Sequence, residues 1–417
     1  MSYKMHPHES TRLYVFLLLI FSLFFSSYIG ENSSGGAKLD SIITRQFIDG
    51  FLVSFDYGIN YFIKTNQVLS PFFFFLMSFL EKILGQFFLK YLYVLISSLI
   101  PLIFYISLKK KFKGVNKNIL FFISLIVFLS PYFRSSSSWI TSDNLATLFF
   151  ILSISKFLDL ERKKNFKNLF LCSFYLILAT YVRQYYAIFF PLYFILTYRI
   201  LNKKEIFFLI TLISIYFIPI FFYYYNFFSL NADSQNKEFT KLLNQNFFYS
   251  GLVFLSLYFF YLFPFYLNKN LKNNIFYFIN KKIFLFIFIS IFFIFIGFFD
   301  PIVHRLYGGG MFIKLSQIFN NNNILYFVSY LGSLFLFINL NKNNFFIYLG
   351  LIIMFPFITI YQKYYDPLLL IVLLTLTKNG SFHNMLIKNN LNLKIVFIYY
   401  LIFLVLMNFY FINIINV

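Results

Sequence analysis

"QVLSPFFFFLMSFLEKILG", residues 67–85, sets the side of the membrane on which every later loop falls. Its apolar run approaches the roughly 20 residues that cross a bilayer, yet Glu81 and Lys82 sit near its end. Read as a span, it reverses the side of every later loop and puts "KKKFKGVNK" (109–117) on the face opposite the cytoplasm. Read as an amphipathic or re-entrant helix at the membrane interface, introduced by Pro71, it leaves that basic loop inside, as the positive-inside rule requires. The interfacial reading is the one consistent with the remaining loops.

Composition sets the frame around this stretch. The 417 residues are 60% hydrophobic and 12% charged, with a mean hydropathy of +0.75. That leaves too little polar surface for a soluble globule, and the expectation is an all-α, polytopic integral membrane protein. Hydropathy places about thirteen transmembrane helices, at 12–29, 86–108, 118–132, 143–159, 167–181, 185–200, 206–226, 247–266, 283–299, 324–340, 344–360, 366–377 and 394–413. The first follows a basic start and lacks a small-x-small cleavage site, so it is expected to remain as an uncleaved anchor. With the N-terminus in the cytoplasm, most of the 35 Lys and Arg fall inside and most of the 14 Asp and Glu fall outside. The net charge of +21 then meets anionic headgroups of the lipid bilayer rather than nucleic acid. The 69 Phe, alongside abundant Ile, Asn and Lys, are as well explained by an AT-rich coding sequence as by selection for an aromatic surface. One cysteine, Cys172, excludes an intramolecular disulfide and a thiolate metal cluster. Without domain boundary, linker or fixed-period repeat, residues 1–417 read as a single transmembrane domain with a large first external loop, about 30–85.

The loops opposite the basic ones carry the chemistry. They are 31–75, "PYFRSSSSWITSDN" (131–144), "YVRQYY" (181–186), 226–246, "DPIVHRLYGGGMFIKLSQIFNNNN" (300–323) and "YQKYYDP" (361–367). Asp40 in "SGGAKLDSIITRQFIDG" (34–50) is a loop carboxylate, commonly just solvated, that has the chemistry of a general base. Arg183 either snorkels from a span end to headgroups or grips phosphate oxygens with its fork; Arg134, Arg305 and Lys363 are weaker candidates of that kind. Asp143 in "TSDN" also fits an ordinary helix N-terminus, where an acid is favoured. Asp49, Asp56 and Asp366 read as structural or substrate-orienting. His304 lacks a second ligand at metal spacing, which argues against zinc, and the Gly triplet 308–310 marks a turn.

In order, "LDSIITRQFIDG", "FDYGINYFIKTNQVLS" and "PFFFF" of the first loop, then "ITSDNLATLFF" (140–150), "YVRQYYAIFF" (181–190), "HRLYGGGMFIKLSQIF" (304–319) and "QKYYDPLLL" (362–370), resemble GT-C membrane glycosyltransferases. Within that group the chain most resembles the eukaryotic dolichyl-phosphate-glucose alpha-1,2-glucosyltransferase family. That family has Met-Asp-Glu, Trp-Asp-Pro-Lys-Ile-Thr-Thr and Pro-Gly in its first loop, then Tyr-Thr-Asp, Arg-Gln-Thr-Asn, a Leu-x-Gln downstream of a His, and Arg/Lys-Tyr-Tyr-x-x-Pro. Here Ser41 stands for the acid after Asp40, and Tyr185 for the Thr after Arg-Gln.

The resemblance implies a GT-C-like fold and an inverting hexosyltransferase. The donor would be a polyprenyl-phosphate sugar, the acceptor a lipid-linked or surface glycan, and the site periplasmic or lumenal. It implies Asp40 as the catalytic base and Asp143, Arg183, Gln184, His304, Arg305, Lys363 and Tyr364 as substrate contacts; no cofactor is expected, and a divalent cation has no support in the sequence but stays open. The alternative class is a lipid-linked glycan flippase, transporter or polymerase. A transporter is expected to hold ionisable residues and broken helices near the bilayer midplane, whereas these spans are nearly free of charge. In the dullest alternative, the acids serve only as loop solvation.

Overall fold

The computed structural model describes residues 7–65, 70–198, 201–215, 218, 251–267, 283–298, 310–319, 321, 323–354, 362–378, 380–387 and 391–415. Among these residues the regular structure is entirely helical. The described chain forms two compact units, Met1–Asn231 with Phe397–Val417, and Ala232–Val396.

The first unit opens with α1 (Pro7–Ile29), α2 (Ala37–Val53), α3 (Phe55–Lys64), α4 (Phe72–Leu84) and α5 (Gln86–Lys111). Of residues 67–85, those from 70 are described. The core of this stretch is α4, whose 13 residues rise about 20 Å, short of the ~30 Å hydrocarbon thickness. Gly85, at φ +79, ends α4, a backbone conformation that glycine adopts without steric cost, and α5 starts at the next residue. One face of α4, with Phe73, Phe74, Met77 and Glu81, is buried.

That face packs with α2 and α3 around Phe47, whose ring centroid lies 4.3 Å from Phe62, 5.2 Å from Phe74 and 5.3 Å from Tyr61. Arg45 Nη1 on α2 reaches Glu81 on α4 at 2.7 Å. Next come α6 (Lys117–Leu125), a 3-10 turn (Ile126–Leu129), α7 (Pro131–Trp139), α8 (Ser142–Arg162), α9 (Phe166–Val182), a second 3-10 turn (Gln184–Ile188), α10 (Phe189–Thr197) and α11 (203–215). Lys110 Nζ, 2.6 Å from Asp159, ties the basic end of α5 to α8.

Among the described residues three helices are long and apolar enough to cross a membrane, Ser10–Ile29, Gln86–Lys111 and Leu393–Phe411. The pair Lys117–Leu129 and Pro131–Trp139, bent by 62°, makes a fourth if taken as one broken span. Shorter apolar helices are Phe166–Val182, Gln184–Thr197, Gly251–Tyr266 and Asn323–Ile338. The set fits an integral membrane protein. Among the described residues fewer helices reach spanning length than the thirteen expected, and in places an apolar window does not see where the backbone breaks. The segment read as a span over 118–132 followed by an open loop is one such case. At its end the Ser130 hydroxyl accepts the Phe133 N–H at 3.0 Å and Pro131 occupies the first helical position. Both start a new helix, so 131–139 is α7 rather than loop.

The second unit contains α12 (Gly251–Tyr266), α13 (Ile283–Phe298), α14 (Gly310–Ile318), α15 (Asn323–Ile338), α16 (Lys342–Ile353), a 3-10 turn (Gln362–Tyr364), α17 (Leu368–Thr375) and α18 (Gly380–Ile387). The last helix, α19 (Leu393–Ile415), begins here, and its residues from Phe397 belong to the first unit. Helices α12 and α15 touch backbone to backbone. The Ser329 hydroxyl donates to Leu252 O at 2.8 Å, and a Cβ on Gly332 would lie 2.0 Å from Leu255 O. Small residues allow this approach between membrane helices. Gly332→Ala is expected to push α12 and α15 apart and cost about 1–3 kcal/mol, as overpacking does; a lowered Tm of the detergent-solubilised protein is the readout.

Candidate functional site

The site is built outward from the turn after α1. Gly30, at φ +70, ends that helix, and Glu31 then turns back onto α7. Arg134 Nη2 and Nε lie 2.8 and 2.9 Å from Glu31 Oε2, and Nε is 3.1 Å from Oε1. The guanidinium also donates to the Ser22 hydroxyl and carbonyl at 3.1 and 3.2 Å. The indole of Trp139 donates to Glu31 O at 2.8 Å, and the Ser34 N–H donates to Ser135 Oγ at 2.9 Å. Ser33 Oγ lies 2.8 Å from both Glu31 Oε1 and Pro131 O. Side-chain exposure is only 7% for Glu31 and 11% for Arg134. Burial alone raises the Glu31 pKa, but the charge and hydrogen bonds of Arg134, with hydrogen bonds from Ser26 and Ser33, together outweigh it and hold the carboxyl below its ordinary value.

This clamp fixes the start of the segment that leads into α2, the helix carrying Asp40. Helix α2 begins at Ala37, and Asp40 lies in its first turn, where the positive end of the helix favours an acid. Its N–H donates to Gly36 O at 2.9 Å. Asp40 is half-buried and, by helical spacing, shares a face with Thr44, Phe47 and Phe51, all buried. It is thus the N-terminal polar end of the inward face of α2, not a carboxylate on its outer face. The Ser41 hydroxyl donates to Lys38 O at 2.7 Å. Asp49 is 54% exposed and held by Arg45, and Asp56 is exposed in the first turn of α3.

The second focus joins two residues singled out separately in the sequence. Asp143 is in the first turn of α8, and Arg183 caps the C-terminus of α9 in an extended conformation. Arg183 Nη2 lies 3.0 Å from both carboxylate oxygens of Asp143. Their side chains are 14% and 10% exposed. The N-cap of α8 is Thr141, whose hydroxyl turns to Ser136 Oγ at 2.6 Å and Asp143 Oδ2 at 3.3 Å instead of capping the backbone. Thr141 O accepts from Tyr93, and Asn144 donates to Phe133 O at 3.0 Å and Ser97 Oγ at 3.1 Å. The start of α8 is therefore fixed to α7 and α5. Gln184, next to Arg183, is half-buried at the start of the second 3-10 turn.

Lys363 and Tyr364 lie in the second unit, with the Lys363 ammonium 5.6 Å from the Tyr364 ring centroid. Asp366, two residues on, is buried. His304 and Arg305 fall outside the described residues. The sequence reading missed Glu31 altogether and gave Arg134 only a minor part. The signals were present: an acid directly after a span, an Arg preceding four serines, and the chain's only Trp, Trp139. Comparison with protein-family models, curated proteins and solved structures finds no match to this chain.

Proposed function

We propose that this chain is an inverting GT-C-type glycosyltransferase that moves a hexose from a polyprenyl-phosphate-linked donor to a lipid-linked or surface glycan. In this reading the chain crosses the membrane about thirteen times with its N-terminus in the cytoplasm, and Asp40 faces the opposite side. The observation that carries the reading is the meeting, at 3.0 Å, of Asp143 and Arg183, which the resemblance assigns to substrate from two separate motifs.

The chemistry needs one base and one cation. The Asp40 carboxylate takes the proton of an acceptor hydroxyl as that oxygen attacks the anomeric carbon. The bond from that carbon to the phosphate oxygen breaks, and its electron pair leaves with the polyprenyl phosphate. The Arg183 guanidinium, held by Asp143, stabilises the negative charge on the departing phosphate. Asp40 then gives its proton to water. A phosphate ester leaves readily, so one base and one cation suffice for the step.

The test is reconstitution of the full chain in vesicles with a panel of radiolabelled polyprenyl-phosphate hexoses and a membrane glycolipid extract. The expected result is a new glycosidic product and free polyprenyl phosphate in equal amounts. Movement of the labelled lipid between leaflets without a new bond supports the flippase reading instead.

A further inference from the structure

Helix α14 of the second unit has an unusual beginning. It opens on Gly310 at φ +76, and the Met311 N–H donates to the side-chain oxygen of Gln362 at 2.8 Å. Gln362 is 1% exposed, and its Nε2, bonded to the same carbon as that oxygen, has no hydrogen-bond acceptor among the described residues. A buried amide donor without an acceptor is costly, so an added acceptor would be favoured at this helix N-terminus. A Cβ on Gly310 would meet the Gln362 side chain at 3.1–3.7 Å. The helical period then puts Lys314, one turn later, on the same side of α14 as Gln362.

We propose that the N-terminal end of α14 is a phosphate site, with Gln362 Nε2, the first-turn amides of α14 other than that of Met311, and Lys314 as its donors. A helix N-terminus supplies N–H groups and a partial positive charge to a tetrahedral oxyanion. Burial lowers the Lys314 pKa to about 8, so at neutral pH the ammonium is still mostly charged. Lys363 follows Gln362 directly in the chain and adds a second cation on the same 3-10 turn. The inference stands on the second unit alone and adds Gln362 and Lys314 to Lys363, which the transferase reading already counts among its substrate contacts. The phosphate is either free or the head of a prenyl phosphate, since both present the same group.

The test uses the purified full chain in detergent, with inorganic phosphate and a short water-soluble prenyl phosphate as probes in equilibrium dialysis. Gln362→Glu keeps an acceptor for the Met311 N–H but replaces the amide donor with a negative oxygen. Lys314→Met removes the cation on a neighbouring helix turn. Each variant is expected to weaken binding about 10-fold or more, the scale of losing a hydrogen bond to a charged group, while the circular dichroism spectrum stays that of the wild type. Equal binding of both probes identifies the phosphate group itself as the ligand, and binding of the prenyl phosphate alone identifies a lipid source; either supports the site if the variants lose it. No binding of either probe by the wild type, or unchanged binding by both folded variants, overturns it.

Discussion

An Asp40→Asn chain, present at wild-type abundance, is expected to transfer sugar about 100-fold more slowly or worse, the scale of losing a positioned base. The carboxamide keeps the size of the side chain and its place in the first turn of α2, so α2 and the turn after α1 should stay folded. What it loses is the capacity to take a proton. Donor binding needs no proton transfer, so the loss should fall on kcat, with KM little changed. Asp49→Asn is the matched control, because Asp49 is exposed and already engaged by Arg45. It should transfer at close to the wild-type rate. If Asp40→Asn does so as well, the base lies elsewhere, with Asp143 the next carboxylate to examine.

The largest stability effect is expected at Glu31. Glu31→Ala leaves the Arg134 guanidinium buried without its carboxylate, a situation that costs about 3–5 kcal/mol, and it unfastens the loop leading to Asp40. Removing both charges in a Glu31→Leu, Arg134→Met chain should be less damaging than Glu31→Ala alone, since no uncompensated charge stays buried. Acidity reports on the same pair. The folded-state pKa of Glu31 is depressed, so its stabilisation is complete above the unfolded value of about 4.3 and disappears as pH falls through the lower folded value. Unfolding midpoints measured against pH should fall more steeply below about pH 4 in the wild type than in Glu31→Gln. Equal slopes would separate Glu31 from the acid response.

Some elements were legible because one strong signal defined them. Helix α5 runs Gln86–Lys111 where hydropathy gave 86–108, since a long apolar run ends there in three lysines. Helix α4 ends at Gly85, close behind the charges of Glu81 and Lys82 that made a span unattractive. The bend at Ser130–Pro131 was harder. Apolar residues continue up to it, and a hydropathy window averages over a single capping hydroxyl.

Pairings were the least legible part of the candidate site. Arg134 lies 103 residues from Glu31, and Arg183 lies 40 from Asp143. Nothing in local periodicity couples such distant charges. A buried Arg is stable only with a partner, and which acid serves is decided by how α1, α7, α8 and α9 pack. Sequence spacing did mark Asp143 and Arg183 as polar groups at helix ends; it did not mark them as a pair.

The most direct measurement is the anomeric configuration of the transferred sugar, read from proton couplings in the NMR spectrum of the product made from a polyprenyl-phosphate hexose of defined configuration. A single base at Asp40 and direct displacement of the phosphate predict that every product linkage has the configuration opposite to that of the donor. Retained configuration would require a covalent sugar intermediate on a second nucleophile and would contradict this account.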